Sequence, residues 1–243
     1  MKIFTKSMLA LVAALTITAL LPAGNAFCAP KMSAIVVFVE GDVKFKRDGA
    51  KDYTELKLNE ALQPGDSIMT GTGAKASLVT KSGAEIRINQ NSTFNIPGKS
   101  KVREMFELNV GQVWGRMLHK MAKLNVRTPT AVCAVRGTEA DIEQKETMTV
   151  KVYEGHVDLT NAQGKQSLRA GQISTVSGAN AAPTAPRQMS NSEMGKWQES
   201  IDVKDIGKYL QQVGLDSKGE KKVKLQVEKD GKAKDVEIKL KKK

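Results

Sequence analysis

Leu124-Asn-Val-Arg-Thr-Pro-Thr-Ala-Val-Cys-Ala-Val-Arg-Gly-Thr-Glu-Ala-Asp141 is the densest run of conformationally restricted residues in the chain. Pro129 fixes its own φ and drives Thr128 toward an extended conformation. Ala131 to Val135 carries no polar side chain, the pattern of a strand enclosed on both sides. Arg136-Gly137-Thr138 then sets a full charge and a flexible residue directly after it. Burying that charge alone would be very costly, so it must reach a partner or water. Arg136 therefore has two readings. Its guanidinium fork suits a carboxylate or phosphate on a ligand or partner. Alternatively it is a corner arginine held by backbone carbonyls and by Glu139 or Asp141. Internal pairing is the expectation, because charges beside apolar runs are usually satisfied locally.

Outward from this stretch the chain reads as short strands between turn signals. Ile35 to Val39 leads into Glu40-Gly41-Asp42, after which Val43-Lys44-Phe45 alternates. Arg47-Asp48-Gly49 and Gln63-Pro64-Gly65-Asp66 are turns of the Asp-Gly and Pro-Gly kind. Further strands are expected near 67–70, 76–80, 84–88 and 93–96, each of a length usual in all-β domains. Phe38-Val-Glu-Gly-Asp-Val-Lys-Phe45 matches Val152-Tyr-Glu-Gly-His-Val-Asp-Leu159 in character, and Asn109-Val-Gly-Gln-Val-Trp114 is a looser copy. Pro64-Gly65-Asp66 and Ala170-Gly171-Gln172 are shorter echoes. Each unit is strand, glycine corner, strand, with corners at Gly41, Gly65, Gly111, Gly155 and Gly171. Irregular repetition of this unit predicts an all-β domain over residues 34–176, β-solenoid-like or a β-roll, whose coils stack to bury a core. A sandwich would use similar signals.

Composition shifts after Val176. Residues 177–189 are rich in Ala and Pro and read as a linker. Residues 190–214 read as short helices. Ser190 and Glu193 stand at capping-box spacing, and Met194, Trp197 and Ile201 would form one apolar stripe. Trp197 is expected to cap an open end of the β-domain. Residues 218–243 form a Lys-rich tail in which Val223, Leu225 and Val227, then Val236, Ile238 and Leu240, alternate with polar residues. Glu228-Lys-Asp-Gly231 between them predicts a hairpin. A lone hairpin is barely stable in water, so it must pack on something.

The 243 residues are 40% hydrophobic, 26% charged and only 5% aromatic, ordinary for a globular chain with an aliphatic core. Lys2 and Lys6, the apolar run Met8 to Leu21, and Pro22-Ala-Gly-Asn-Ala26 form the three parts of a secretory signal peptide, with cleavage expected after Ala26. Removing it takes two of the 38 basic residues, leaving a formal charge of +10 instead of +12. Export to the periplasm removes nucleic acid as a partner. Anionic glycan or lipid headgroups remain candidates for the basic tail. Two cysteines, Cys28 and Cys133, make no disulfide framework. A single bridge between them stays open. Phe27 before Cys28 disfavours lipidation there.

The run Thr128-Pro-Thr-Ala-Val-Cys-Ala-Val-Arg-Gly-Thr-Glu139 closely resembles the signature of the FecR-type periplasmic domain, with Cys133 in place of an alanine and Ala140 in place of an aromatic residue. Gly65-Asp-Ser-Ile68, Gly111-Gln-Val-Trp114, Glu154-Gly-His-Val157 and Ala170-Gly-Gln172 agree in order, so the resemblance covers about residues 35–176. It implies a non-enzymatic, extracytoplasmic β-domain. Thr128, Pro129, Thr130, Val135, Arg136, Gly137 and Thr138 carry the motif and are expected to be mainly structural. Regulators of the family span the inner membrane and relay signals from receptors to a sigma factor. The sequence shows no cytoplasmic segment or internal span of that kind, so only the periplasmic domain's role carries over.

Catalytic chemistry is not expected. His119 and His156 lie in no recognisable motif, and a nucleophile with a positioned base is not apparent. Zinc-site spacing and phosphate loops are missing from the sequence. Asp42 and Asp66 after glycine corners are read as turn caps before calcium ligands. No cofactor is expected. The leading expectation is a binding or scaffold module that engages another envelope protein, possible partners otherwise being anionic glycan, lipid headgroups, or a second copy through the tail hairpin.

Overall fold

A computed structural model describes residues 32–98, 105–119, 122–215, 221–229 and 232–240. The stretch expected to be a signal peptide, Cys28 and the tip of the tail hairpin lie outside these residues. Strands dominate, and most of them come in pairs joined at a corner. β1 (Ala34–Glu40) and β2 (Val43–Lys46) meet at Gly41, and the short β3 (Thr54–Glu55) and β4 (Ala61–Leu62) follow. β5 (Ser67–Thr70) and β6 (Lys75–Thr80) meet across Gly71 to Gly73, while β7 (Ala84–Ile88) and β8 (Thr93–Asn95) meet at Asn91, which has φ 53°. β9 (Met105–Met117), β11 (Val132–Gln144) and β12 (Met148–Asn161) are long strands that pass through corners at Gly111, Gly137 and Gly155. β10 (Leu124–Arg127) lies between β9 and β11. β13 (Gly164–Arg169) and β14 (Gln172–Val176) meet at Gly171, and β15 (Arg187–Gln188) ends the sheet.

Partners change at each corner, which divides the sheet into two halves. In half A the order is β1, β6, β7, the second part of β9, the second part of β11, the first part of β12, and β14. In half B it is β2, β5, β8, the first part of β9, β10, the first part of β11, the second part of β12, and β13. The same chain order runs through both. Inward residues of both halves, such as Val36, Leu78 and Ile86 from A and Ile68, Phe94 and Leu108 from B, meet in one core cluster. The fold is an antiparallel meander folded onto itself along its corners, and that closure buries the aliphatic core. Phe94 and Phe106 stack inside it with ring centroids 5.5 Å apart.

All-β architecture is as the sequence implies, but coil stacking of the solenoid kind is not seen among the described residues. Among the described residues the strand pairs are antiparallel, except the parallel pair of β9 with β10. That pair exists because β10 wedges into half B alone, while β9 and β11 pair directly in half A. Asn91 serves one corner without a glycine, a position the repeat pattern does not flag.

Residues 177–189, read as a linker, are instead fastened to the sheet. Pro183 is buried, Asn161 Nδ2 donates to Ala181 O at 2.7 Å, and Ser174 Oγ donates to Thr184 O at 2.7 Å. β15 then pairs with β14. The expected helix at Ser190 does not form. Its capping contacts do, since Ser190 N donates to Glu193 Oε2 at 2.8 Å, but Gly195 follows and only a 3-10 turn, Trp197–Ser200, continues. Met194 is 43% exposed and so does not join an apolar stripe with Ile201, which is buried. Helix α1 (Ile206–Gln212) lies within residues 190–214, where short helices are expected. Its Tyr209 and Leu210, with Val213 and Leu215, cover Ile35, Val37 and Val79 on the outer side of half A. In the tail, β16 (Lys221–Lys229) pairs antiparallel with β17 (Lys232–Leu240). No helix among the described residues is long and apolar enough to cross a membrane.

Candidate functional site

The 124–141 stretch builds a turn, a core strand and a corner. Thr128 is buried, and its Oγ1 accepts from Thr130 N at 3.3 Å and Ala131 N at 3.2 Å, closing the turn from β10 to β11 around Pro129. Thr130 Oγ1 donates to Gln144 Oε1 at 3.0 Å. Ala131, Cys133 and Val135 point into the core. Burial pushes the Cys133 thiol far above its ordinary value, so it stays protonated. Gly137 makes the corner with φ 60°, and nothing is described for the Thr138 side chain. Gly41, Gly65, Gly111, Gly155 and Gly171 all have positive φ.

Arg136 is not paired with Glu139 or Asp141. Its side chain is 66% exposed, and its Nε lies 4.0 Å from Asp158 Oδ2. The reason is the corner: the β11–β12 register shifts between Arg136 and Glu139, so the two acids lie in half A while Arg136 lies in half B. Asp158 is already engaged by Ser167 Oγ at 2.5 Å and Lys165 Nζ at 3.2 Å, and these hold its carboxyl below the ordinary value.

Strand alternation places Arg136 on the outer side of half B, and no described residue covers that side there. Lys44, Lys46, Arg127, Arg136, Lys165 and Arg169 share it with Glu107 and Asp158. A cross-strand row, Lys46–Ser67–Asn95–Glu107–Arg127, runs through the strand register. These residues line a groove of about 530 Å³ together with Tyr53. His156 stands opposite Arg136 and Arg169 in register and is exposed. Asp66 is buried at a turn, accepting from Arg47 Nη1 at 2.6 Å and Gln63 N at 2.8 Å. Asp42 is exposed with Lys44 Nζ at 3.2 Å. Among the described residues no group of three His, Cys, Asp or Glu is placed to hold a metal.

The outer side of half A is different, because Gly195–Ile201 lies across it. Beneath this strap is a polar network that the sequence reading missed. Glu85, wholly buried, accepts from Arg87 Nε at 2.7 Å and Arg116 Nη2 at 2.6 Å. Both guanidiniums also lie over the Trp114 ring, at 4.9 and 5.4 Å from its centroid. Trp114 Nε1 donates to Glu139 Oε1 at 3.1 Å. Trp197 Nε1 of the strap donates to Asp141 Oδ2 at 2.7 Å, so Trp197 covers a face and not an end. The sequence offered one clue: Glu85, Arg87, Gln112, Trp114 and Arg116 all occupy alternate strand positions.

The family described as FecR protein matches residues 66–158. This segment is a FecR domain. It runs from the turn before β5 to the second part of β12, so the strap and β1 lie outside the matched residues. Two crystal structures of a candidate anti-sigma factor from Parabacteroides distasonis ATCC 8503, at 1.65 and 2.50 Å, are similar to this chain with 16% identity and a TM-score of 0.44. Each similarity covers 50% of this chain and 59% of the other, so only part of that protein's length is matched. No curated protein matches.

Within the FecR domain Asp141 is a buried carboxylate. Burial pushes its carboxyl up to about 6, against the hydrogen bonds from Gln112 and Trp197 and the charge of Lys151. A folded-state value above the unfolded one means that this group favours folding in acid and loses that contribution as pH rises through about 6. The shift corresponds to roughly 3 kcal/mol at neutral pH, at about 1.36 kcal/mol per unit. Asp141→Asn is therefore expected to gain stability relative to the wild type as pH is raised from 4.5 to 7.5. Paired denaturant titrations check this. A difference between the two proteins that does not change with pH would contradict the burial assignment.

Proposed function

We propose that this chain is a non-enzymatic, exported FecR-domain protein that binds another envelope protein through the open outer side of half B, acting as a scaffold or signalling module. The observation that carries this reading is the contrast between the two outer sides. Half A is covered by the chain's own C-terminal segment. Half B presents its groove and its basic residues, including the exposed Arg136, to solvent. A surface with this charge suits an acidic segment of a partner, whose approach it would accelerate. Envelope signalling accords with the FecR match, and the exported location rests on the signal-peptide pattern at the N-terminus.

Crosslinking in intact envelopes followed by pull-down tests the reading. Arg127→Glu with Arg136→Glu is expected to lower capture of the partner about tenfold, chiefly through slower association. Both side chains are exposed, so the melting temperature should hardly move. Capture unchanged by the double reversal would refute the assignment of this face. Cosedimentation with wall glycan or anionic vesicles, lost on deleting residues 218–243, would instead support binding by the basic tail, whose register sets Lys222 opposite Lys239.

A further inference from the structure

The two parts of the C-terminal segment cover half A by different means. Helix α1 uses apolar packing on Ile35, Val37 and Val79. The strap Gly195–Ile201 instead rests mainly on charged and polar groups. Among the described residues it makes no backbone hydrogen bond to the sheet. Its contacts are ones that a separate peptide could make. Tyr153 Oη donates to Gly195 O at 3.0 Å, Arg87 Nη1 donates to Gln198 O at 2.5 Å, and the Trp197 indole donates to Asp141. Lys196 Nζ reaches Glu139 at 3.6 Å and lies 5.2 Å from the Tyr153 ring centroid.

The fit is incomplete. Gln198 is 1% exposed, yet among the described residues its Oε1 has no hydrogen-bond partner, and neither has the buried Nε of Arg116. Orphaned buried polar atoms are costly and rare in a surface built only for stability. Trp114 on the floor is held by Arg87, Arg116 and Glu139, all of them residues of the sheet itself.

We infer that the outer side of half A is a peptide-binding site, occupied in the free chain by its own Gly195–Ile201 strap, and that its partner is a protein segment presenting a tryptophan between backbone carbonyls free to accept hydrogen bonds. The strap is a built-in competitor. A partner segment gains access by displacing it, at an apparent affinity reduced by the fraction of chains in which the strap is closed. The Trp197 indole favours ionised Asp141 by donating to it, against the burial that disfavours the charge. The charged and titratable groups around Asp141 are Lys151 and Tyr153 on β12, Glu139 and Glu143 on β11, and Lys196 and Glu199 on the strap. This inference is independent of the role proposed for half B.

The probe is a fluorescein-labelled peptide with the sequence of residues 193–203, added to full-length chains. Trp197→Ala, which weakens the internal strap, is expected to bind it saturably and about tenfold more tightly than the wild type does. Adding Asp141→Ala, or replacing the peptide's own tryptophan by alanine, should abolish binding. Arg127→Glu with Arg136→Glu should leave it unchanged, which separates this site from the half B face. Should Trp197→Ala not fold, amide hydrogen exchange on the wild type decides: excess unlabelled peptide is expected to speed exchange at residues 196–201. Equal binding to both chains, no binding to either, or exchange that ignores the peptide overturns the inference.

Discussion

Gly111→Ala is expected to prevent folding or to cost more than about 4 kcal/mol, the range reserved for severe core defects. Gly111 is a corner residue with φ 105°, outside the region that an L side chain adopts readily. A Cβ there would stand 2.1 Å from Ser92 Oγ and 2.4 Å from Ser92 Cα. Ser92 cannot give way, because it is buried, its Oγ accepts from Gln112 N at 3.0 Å, and its N donates to Thr70 Oγ1 at 3.0 Å. Gly137→Ala is the control. Its φ is 60°, with nothing within 4 Å of the added Cβ, so it should cost only the left-handed penalty of about 1–2 kcal/mol. Denaturant unfolding of the two variants measures the difference. Equal costs would show that backbone conformation alone matters and that the Ser92 contact does not.

Glu85→Ala should be the most destabilising side-chain truncation on the outer side of half A. Glu85 is wholly buried, and its oxygens accept from Ser77, Arg87 and Arg116. Removing one member of a buried pair leaves the other charge uncompensated, at about 3–5 kcal/mol. The Arg116 side chain is 42% exposed and can turn to water, so the lower part of that range is expected, with the cost concentrated on Arg87. A loss of about 3 kcal/mol corresponds to a fall in melting temperature near 10 °C for a chain of this size. Glu85→Ala with Arg87→Ala should cost less than the sum of the single changes, because the second removes the charge stranded by the first. Strict additivity, or a melt like that of the wild type, would mean that the pair contributes no coupling.

Much of the fold was legible in the 124–141 stretch and its echoes. Pro129, the apolar run to Val135 and Gly137 act over a few residues, so turn, buried strand and corner follow from local sterics and alternation. The family signature lies in the same residues for the same reason. The tertiary arrangement was less legible. Antiparallel pairing of strand–corner–strand units and their stacking as coils use the same local signals, and only the register separates them. The insertion of β10 into half B alone was not visible, since Leu124–Arg127 reads like any other short strand. Arg136 was expected to pair with Glu139 or Asp141, three and five positions away. The corner turns those acids to the other half, where Trp114, Gln112 and the strap engage them.

The candidate sites divide along the same line. Period-two alternation already states that Glu85 and Arg87 in β7, like Lys165 and Ser167 in β13, point away from the core. It cannot state which of them meets water. Sequence by itself determined most strands, the glycine corners, the signature of the FecR segment and the side of each strand that faces inward, because those depend on neighbours a few residues apart. Tertiary structure alone decided that the outward side of half A is buried under residues 195–215 while that of half B stays open. Burial of a charged side chain depends on a segment more than a hundred residues away, as in the hydrogen bond from Arg87 to Gln198, and no local pattern encodes where that segment comes to rest.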